Sequence, residues 1–361
     1  MEIIANTTQF YLQKETAAAI GKFDGIHVGH RRLLEEILSR KKDGLAACVF
    51  TFDPLPAVVF GGYSGKEGGA SALLTLNTRD EKRLLFERMG VDILIEFPLD
   101  RVTAAMPPEI FVYEILVKQM NVRFLAAGKD LSFGAKGAGN AALLQKLGPQ
   151  LGFDFMTIDK ICMDGYEISS TLVRSKVEEG NMEMVEHLLG MPYMIVGRVV
   201  MEEEHSMEEE HSMENQIKRT IGLHTISILP AENKLLPPNG VYFSQVRYNG
   251  RGVSHGKDVF HGRSESNRRR ASNGRRTSNG RRTSHGKLYR AISNVGYKPT
   301  VSDKRMMCVE TYLYDLEEDI YGEEVEIYLC KFYRPEQRFD SLEILHRQLK
   351  EDIAVWNKEN L

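Results

Sequence analysis

The segment GKFDGIHVGH at residues 21–30 brings two histidines to a glycine-bearing turn. An apolar run, AAAIGKF, leads into it and a helical pattern follows it, so His27 and His30 lie where the free N–H groups of a helix start attract anions. Gly25 and Gly29 let the backbone approach a ligand closely. Imidazoles at such a place can hydrogen-bond phosphate oxygens and stabilise charge on a phosphorus under attack. The alternative is a glycine turn with two surface histidines, and the FDG tripeptide just upstream favours the phosphate site.

A second candidate for phosphate binding is the segment ISSTLVR at residues 168–174. Ser169, Ser170 and Thr171 are typical of a helix N-cap, with Arg174 following in the first turn. A cap alone would explain these residues, with the arginine as a solvated charge. If the segment instead faces the two histidines, its hydroxyls and guanidinium contact the same phosphates. The two elements together, in this order, predict a nucleotide site.

Strand and helix patterns alternate through the first half of the chain and predict how these residues are positioned. The apolar runs LAACVFTFDP, VDILIEF and VRFLAAG are typical of buried strands. The segments HRRLLEEILSRKK, TRDEKRLLFERMG and PPEIFVYEILVKQM have helical periodicity. Strands that alternate with helices of this length predict a parallel sheet.

The pattern changes after about Gly190, where runs rich in Val, Tyr, Thr and Ile begin. Four such runs, GVYFSQVRYNG, LYRAISNVGYKPT, CVETYLYDL and EEVEIYLCKFYR, are separated by turn signals such as Asn249-Gly250. They predict a small antiparallel barrel. The final segment, FDSLEILHRQLKEDIAVW, predicts an amphipathic C-terminal helix. We place the two domains at residues 1–188 and 189–361.

These motifs resemble those of bacterial bifunctional riboflavin kinase/FAD synthetases. The resemblance to the adenylyltransferase module runs from the HVGH and ISSTLVR elements through TFDPLPAVVF, AAGKDLSFGAKGAG and LLGMPY, and covers residues 15–200. From Leu235, the segments LLPPNGVYFSQV, ISNVGYKPT, VETYLYD and RPEQRFDSLEIL resemble the riboflavin kinase module. The resemblance implies a Rossmann-like α/β nucleotidyltransferase domain, then a riboflavin kinase-like β-barrel.

The resemblance also implies roles for individual residues. The first module would bind ATP-Mg and FMN, and an FMN phosphate oxygen would attack the α-phosphorus while pyrophosphate leaves. His27 and His30 would be catalytic through the ATP phosphates, and Asp130 would lie near the flavin. The remaining residues of the ATP site would be Gly21, Phe23, Asp24, Gly25, Gly29, Ser169, Ser170, Thr171 and Arg174.

The kinase module implies a catalytic base, a flavin contact and a magnesium site. Glu310 would accept the proton of the riboflavin 5′-hydroxyl, and Arg334 would contact the flavin. The family signature G-x-P-T-x-N corresponds here to Gly222-Leu-His-Thr225-Ile-Ser227. Thr225 and Ser227 would bind Mg²⁺ and Gly222 would contact ATP. Histidine stands for the proline and serine for the asparagine, so we expect weakened metal binding.

Two repeat segments interrupt the barrel half, at residues 201–217 and 251–287. MEEEHSMEEEHSME holds seven glutamates and no Lys or Arg, whereas residues 251–287 hold nine Arg and two Lys against two acids. Neither has enough apolar surface to offset chain entropy, so we expect disordered loops. The basic segment could bind RNA phosphates. Its arginine repeats contain no aromatic residue for base stacking, which disfavours a nucleic-acid partner.

Composition excludes several other classes of protein. Four scattered cysteines without a C-x-x-C pair disfavour zinc and a disulfide framework, and no run approaches the roughly 20 apolar residues of a membrane span. The scattered thiols fit a cytoplasmic location, and the resemblance implies an enzyme whose partners are riboflavin, FMN and ATP. Three functions remain open: a bifunctional kinase and adenylyltransferase, an adenylyltransferase with an inactive barrel, and an RNA-associated protein on this scaffold.

Overall fold

A computed structural model of the chain describes residues 1–60, 74–163, 165–200, 224–248, 287–298, 306–313, 316, 320–337 and 339–358. Most of both repeat segments, and Gly222, lie outside these residues. The predictions made for them therefore stay predictions.

A parallel six-stranded sheet organises the first half, in the order β1-β4-β3-β2-β5-β8. Its strands are β1 (Glu2–Ala5), β2 (Thr16–Ile20), β3 (Ala46–Asp53), β4 (Ile93–Pro98), β5 (Val122–Gly128) and β8 (Asp154–Ile158). Two-stranded ribbons pair β6 (Ser132–Phe133) with β7 (Gly139–Asn140) and β9 (Cys162–Met163) with β10 (Tyr166–Glu167). The strand order reverses at β2, which lies between β3 and β5.

Helices connect these strands, and those at Val28–Ser39, Arg79–Met89 and from Pro108 to Gln119 coincide with the predicted helical segments. The helices are α1 (Val28–Ser39), α2 (Pro56–Phe60), α3 (Arg79–Met89), α4 (Pro108–Ile110), α5 (Ala141–Leu151), α6 (Ser170–Glu178) and α7 (Met182–Leu189). The α4 turn continues into a π-helix at Phe111–Gln119, and 3₁₀ turns lie at Arg40–Asp43, Thr103–Ala105 and Ala135–Gly137. Local sequence sets the ends of α3: Thr78 and Glu81 form a capping box, and Gly90 ends the helix in the left-handed conformation.

The second half forms a closed antiparallel barrel, in the order β11-β12-β15-β14-β13-β16. Its strands are β11 (Tyr193–Val200), β12 (His224–Ile228), β13 (Gly240–Tyr248), β14 (Lys287–Lys298), β15 (Met306–Leu313) and β16 (Glu324–Arg334). The C-terminal helix α8 (Leu342–Lys358) packs outside the barrel, where Trp356 lies in a cluster with Val241, Phe243, Ile292 and Cys330. The predicted α/β domain followed by a small barrel and a C-terminal helix is confirmed.

One of the apolar clusters to which both halves contribute lies beside helices α6 and α7. Val173, Val177 and Val185 of helices α6 and α7 pack with barrel residues such as Ile195 and Leu329. Burial at this junction fixes the barrel against the last helices of the first half, because apolar surface removed from water stabilises their contact. In the described part of the chain, no helix is long and apolar enough to cross a membrane.

Candidate active sites

The first site lies at the carboxyl end of β2, where the strand order reverses. In open α/β sheets, ligands bind in the crevice at this point. The turn at residues 21–27 leaves β2 and enters α1, whose N-cap is His27. The sheet topology therefore places the predicted histidines at a helix N-terminus beside the crevice, where anions are favoured.

The two imidazoles stack on each other and their nitrogens have distinct hydrogen-bond partners. The ring centroids of His27 and His30 are 3.8 Å apart with an interplanar angle of 18°. His27 Nδ1 accepts the backbone N–H of His30 at 3.3 Å, so a neutral His27 carries its proton on Nε2. His30 Nδ1 lies 2.9 Å from the Gly25 carbonyl, to which it must donate, so a neutral His30 has a bare Nε2.

Both histidines are neutral near pH 7. Burial, with a smaller contribution from the neighbouring His30, lowers the pKa of His27 to about 3. Burial lowers the pKa of His30 to about 4, and its bond to Gly25 and the nearby charges of Asp24 and Asp130 only partly oppose this. The site therefore offers a hydrogen-bond donor and a helix terminus rather than imidazolium charge.

Asp24 links the predicted histidine turn to the predicted serine and arginine segment. Its carboxylate forms an ion pair with Arg174, and both side chains are about nine-tenths buried. Its Oδ1 accepts the Leu76 amide at 2.9 Å, and its backbone carbonyl accepts the Ser170 hydroxyl at 2.6 Å. The two motifs that sequence analysis paired are thus in direct contact. Asp24 and Arg174 neutralise each other before any ligand binds.

The other predicted residues of this site differ in their surroundings. Phe23 is buried with its ring 5.0 Å from that of His30, and an added Cβ at Gly21 would lie 3.2 Å from the Phe23 ring. An added Cβ at Gly29 would lie 3.1 Å from His27 Nδ1. The glycines therefore leave room for the rings that line the turn.

Ser169, Thr171 and Asp130 lie at the rim. Ser169 is the N-cap of α6 and accepts the Leu172 amide at 3.3 Å, and Thr171 is exposed. Asp130 is exposed and its carboxylate lies 3.7 Å from Lys160 Nζ. All three side chains are therefore at least partly exposed to solvent.

Gly25 should be the glycine of this turn that is most sensitive to substitution. Its φ is +67°, and an added Cβ would lie 2.6 Å from Leu76 Cδ1. Gly44 is a matched control because its φ is +84° and nothing lies within 4 Å of an added Cβ. Alanine at either position should lower the free energy of unfolding by about 1–2 kcal/mol, because a residue with a Cβ is strained in the left-handed backbone conformation. Gly25→Ala should add an overpacking cost of about 1–3 kcal/mol. If urea denaturation shows the same loss of unfolding free energy for Gly25→Ala and Gly44→Ala, the close approach of residue 25 to Leu76 is contradicted.

The second site is a row of side chains across five strands of the barrel. Ser227 is paired with Glu310, Glu310 with Asn294, Asn294 with Val241, and Val241 with Arg334. Directly opposed residues point to the same face, here the outer face that α8 covers. The predicted metal ligand, catalytic base and flavin contact therefore share one face although the chain brings them from three separate segments.

A cavity of about 480 Å³ opens on this face beneath α8. Its polar lining consists of Asn294, Glu310, Tyr312, Arg334, Glu336 and Gln337. The Asn294 amide donates to Glu336 at 3.1 Å. The volume lies in the range of small-molecule sites.

The C-terminal helix holds Arg334 in place. The Arg334 Nε and Nη2 atoms donate to Asp352 Oδ2 at 3.2 and 2.8 Å, and Asp352 is fully buried. Gln348 donates to the other oxygen of Asp352 at 2.8 Å. Since the carboxylate is fixed from both sides, the guanidinium beside the cavity has a defined orientation.

Two buried oxygens in this region could serve a cation. Among the described residues, neither Thr225 Oγ1 nor Asn294 Oδ1 has a hydrogen-bond partner. Thr225 is paired with Tyr312 and lies two residues before Ser227 on the same strand. Because side chains two residues apart on a strand point to the same face, the Thr225 hydroxyl belongs to the face of the Ser227–Glu310 pair. Hard oxygen donors suit Mg²⁺, which also keeps water and phosphate ligands. No cluster of three His, Cys, Asp or Glu side chains fit for a metal occurs in the described ranges.

Several residues of these sites were absent from the sequence predictions. Leu76 and Asn77 line the histidine turn, where Asn77 Oδ1 accepts the Ile26 amide at 3.2 Å. Asn294 and Glu336 lie within segments that the resemblance quoted, ISNVGYKPT and RPEQRFDSLEIL, which was the one signal pointing to them. Nothing in the local pattern distinguishes Leu76 from any other apolar residue.

Comparisons with known proteins match both halves of the chain. The FAD synthetase family model matches residues 10–172, and the riboflavin kinase model matches residues 189–359. The bifunctional riboflavin kinase/FMN adenylyltransferase of Escherichia coli (strain K12) is 33% identical over 94% of this chain and 91% of its own. That of Listeria monocytogenes serovar 1/2a is 30% identical over 96% of this chain and 93% of its own.

A solved structure has the same overall architecture. It is a crystal structure described as a macrolide-efflux protein from Streptococcus pneumoniae, with a TM-score of 0.72, 25% identity and 99% coverage of both chains. The similarity to curated relatives extends over nearly the whole length of both partners. The chain therefore belongs to the family of bifunctional riboflavin kinase/FMN adenylyltransferases.

Proposed function

We propose that the barrel half phosphorylates riboflavin to FMN with ATP, and that the first half transfers the adenylyl group of a second ATP to FMN, forming FAD and pyrophosphate. The observation that carries this proposal is the full-length match to bifunctional relatives. Each half also holds a separate polar site of the expected kind. None of the four cysteines, all of which lie in the described part of the chain, forms a disulfide, which fits a cytoplasmic location.

In adenylyl transfer, an FMN phosphate oxygen attacks the α-phosphorus of ATP in line, and the bond to the pyrophosphate oxygen breaks. The His27 Nε2–H is the donor aimed at the phosphates, because Nδ1 is occupied as the acceptor of the His30 amide. The N-terminus of α1 adds its free amides. Arg174, held by Asp24, and the rim hydroxyls of Ser169 and Thr171 complete the triphosphate side. Catalysis is then positioning plus charge stabilisation.

His30 has a different role because its Nδ1–H bonds to the Gly25 carbonyl. Its bare Nε2 can contact a phosphate oxygen only after it takes up a proton. A polyphosphate nearby favours the imidazolium and raises the pKa of His30 from its low value of about 4 in the ligand-free protein. ATP binding at this site is therefore coupled to the uptake of a proton.

In riboflavin phosphorylation, Glu310 accepts the proton of the 5′-hydroxyl as the hydroxyl oxygen attacks the γ-phosphorus of ATP, and the bond from that phosphorus to the ADP oxygen breaks. Arg334 orients the flavin in the cavity beneath α8, and Asp352 keeps the guanidinium in place. Thr225 and Ser227 would hold Mg²⁺, with Asn294 beside them. The metal, when bound, neutralises phosphate charge. Asp130 would contact the flavin of FMN at the other site.

The magnesium site should limit the kinase, because serine supplies one hydroxyl oxygen where the family signature has an asparagine. The double change His224→Pro with Ser227→Asn should lower the Mg²⁺ concentration for half-maximal riboflavin phosphorylation. FMN adenylylation by the same protein is the internal control and should not change. An unchanged or higher magnesium requirement would contradict the metal assignment to residue 227.

One assay tests the whole proposal. Full-length protein is incubated with Mg-ATP and either riboflavin or FMN, and the flavins are separated by chromatography. Formation of FAD from FMN would support adenylyl transfer by the first half. Formation of FMN from riboflavin would support kinase activity of the barrel. If FAD forms from FMN but riboflavin is converted to neither FMN nor FAD, the result would instead support the alternative in which the barrel is inactive. The departures from the family signature at His224 and Ser227 favour that alternative.

A further inference from the structure

A short segment at residues 74–77 contacts the adenylyl-transfer site on one side. The Leu76 amide donates to Asp24 Oδ1 at 2.9 Å. The Leu74 carbonyl accepts Arg174 Nη1 at 2.6 Å. The two charged residues of the site, Asp24 and Arg174, are therefore each held by the backbone of this one segment.

On its other side, the segment pairs with the barrel half. The Thr75 amide donates to the Asn233 carbonyl at 2.6 Å, and the Leu235 amide donates to the Thr75 carbonyl at 2.9 Å. These bonds form an isolated parallel bridge between Thr75 and Lys234. The backbone that holds the nucleotide site is thus paired like a strand with a segment from the other half.

Lys234 is a fully buried lysine at this bridge. Its ammonium donates to the Leu76 carbonyl at 2.7 Å, to the Met194 carbonyl at 2.7 Å and to Glu81 Oε2 at 2.6 Å. The Lys234 and Glu81 side chains are both completely inaccessible to solvent. Burial lowers the pKa of Lys234, and the adjacent Glu81 carboxylate opposes that shift. A charge at this depth is retained only where all its donors are satisfied.

We propose that Lys234 is a positioning residue for adenylyl transfer. The Lys234 ammonium holds the Leu76 carbonyl, and the backbone amide of Leu76 holds the Asp24 carboxylate. Asp24 in turn orients Arg174 toward the phosphates. The barrel half therefore contributes to the geometry of the other active site through this side chain, together with the backbone pairing at Thr75 and the Tyr193 hydroxyl, which lies 3.0 Å from the Leu76 carbonyl. This inference rests on the proposed roles of Asp24 and Arg174.

A buried ion pair could instead stabilise the fold without affecting catalysis, and a pair of variants separates the two roles. Lys234→Met alone leaves the Glu81 carboxylate buried without its cation, which is strongly destabilising. Lys234→Met with Glu81→Gln removes both charges and keeps an amide able to cap Thr78. The double variant should recover much of the stability, yet the Leu76 carbonyl still lacks the ammonium.

The matched control breaks a different ion pair between the halves. Arg88 forms a bidentate pair with Glu326, and its Nη1 also donates to the Tyr328 hydroxyl at 3.0 Å. These bonds do not involve residues 74–77. Arg88→Met with Glu326→Gln therefore removes an interdomain charge pair of the same type away from the nucleotide site.

The experiment measures kcat and KM for FMN adenylylation and for riboflavin phosphorylation in full-length protein, with urea denaturation of each variant. We expect the Lys234→Met/Glu81→Gln protein to lose about tenfold in kcat/KM for adenylylation, the scale of coupling through a packed network. Its riboflavin phosphorylation should match wild type. The Arg88→Met/Glu326→Gln protein should retain both activities.

Equal adenylylation by the two double variants would overturn the inference and leave Lys234 as a structural residue. Loss of both activities in the Lys234→Met/Glu81→Gln protein would also overturn it, because the effect would then be global. Asp24→Asn tests the underlying site separately. If Asp24→Asn adenylylates FMN at the wild-type rate, the proposed site itself is wrong, whatever Lys234 does.

Discussion

Replacing His27 by alanine should reduce the turnover of FMN adenylylation by about two to three powers of ten, the scale for losing one positioned donor to developing charge. The physical reason is the fixed tautomer of His27. Its Nδ1 accepts the His30 amide, so the ring carries its proton on Nε2, which is left to donate to a phosphate. His30→Ala should also lower turnover, and it should remove the proton uptake that accompanies ATP binding. Steady-state rates, with calorimetry of ATP binding in two buffers of different ionisation enthalpy, measure both effects.

A matched control and a stability measurement accompany these variants. His346→Ala changes a histidine of α8 far from the nucleotide site and should leave adenylylation intact. The pKa of His27 is about 3 in the folded protein against 6.5 for an ordinary histidine, so only the unfolded chain takes up this proton between those values. The free energy of unfolding should therefore fall as pH falls below about 6.5, less steeply in His27→Ala. Full adenylylation by folded His27→Ala and His30→Ala proteins would refute the phosphate-site assignment.

Glu310→Gln should reduce riboflavin phosphorylation by about two to four powers of ten, the usual contribution of a general base. The amide is nearly isosteric with the carboxylate, so the row from Ser227 to Arg334 should keep its packing while the proton acceptor is lost. FMN adenylylation by the same protein should be unchanged, since that site lies in the other half. Phosphorylation is followed with [γ-³²P]ATP, which detects small residual rates.

Two further variants distinguish loss of the proton acceptor at Glu310 from loss of a negative charge on the barrel. Glu324→Gln removes an exposed carboxylate near the start of β16 and should have no effect on phosphorylation. Glu310→Asp keeps a carboxylate with a shorter reach and should retain part of the activity. If Glu310→Gln phosphorylates riboflavin as fast as Glu324→Gln, another group accepts the proton.

Local sequence was sufficient for most elements of the first half. Buried strands such as β3 and β5 are continuous apolar runs, and α3 has a capping box at its start and a glycine at its end, so each is encoded by neighbouring residues. The strands β1 and β8 were not predicted. They are edge strands whose side chains are partly exposed, and their apolar signal is correspondingly weak.

The barrel was predicted from four of its six strands. β12 is only five residues long and does not stand out as a β-type run, whereas β11, YMIVGRVV, has the composition of a strand and was missed although its signal is in the sequence. The predicted residues Glu310 and Arg334 came from motif resemblance, with no spacing rule to join them. Their common face follows from strand register, which is set by pairing between distant segments.

The sequence by itself determined the two-domain order, the α/β and barrel classes, and the motif residues from His27 to Arg334, because motifs and periodicity are local properties. Tertiary structure alone decided which of those residues meet. It joined Asp24 to Arg174, aligned Ser227, Glu310 and Arg334 in one row, and buried Lys234 between the halves. A lysine in AENKLLPP has no local feature that marks it as buried, since its burial depends on Glu81 and Leu76, more than 150 residues away along the chain.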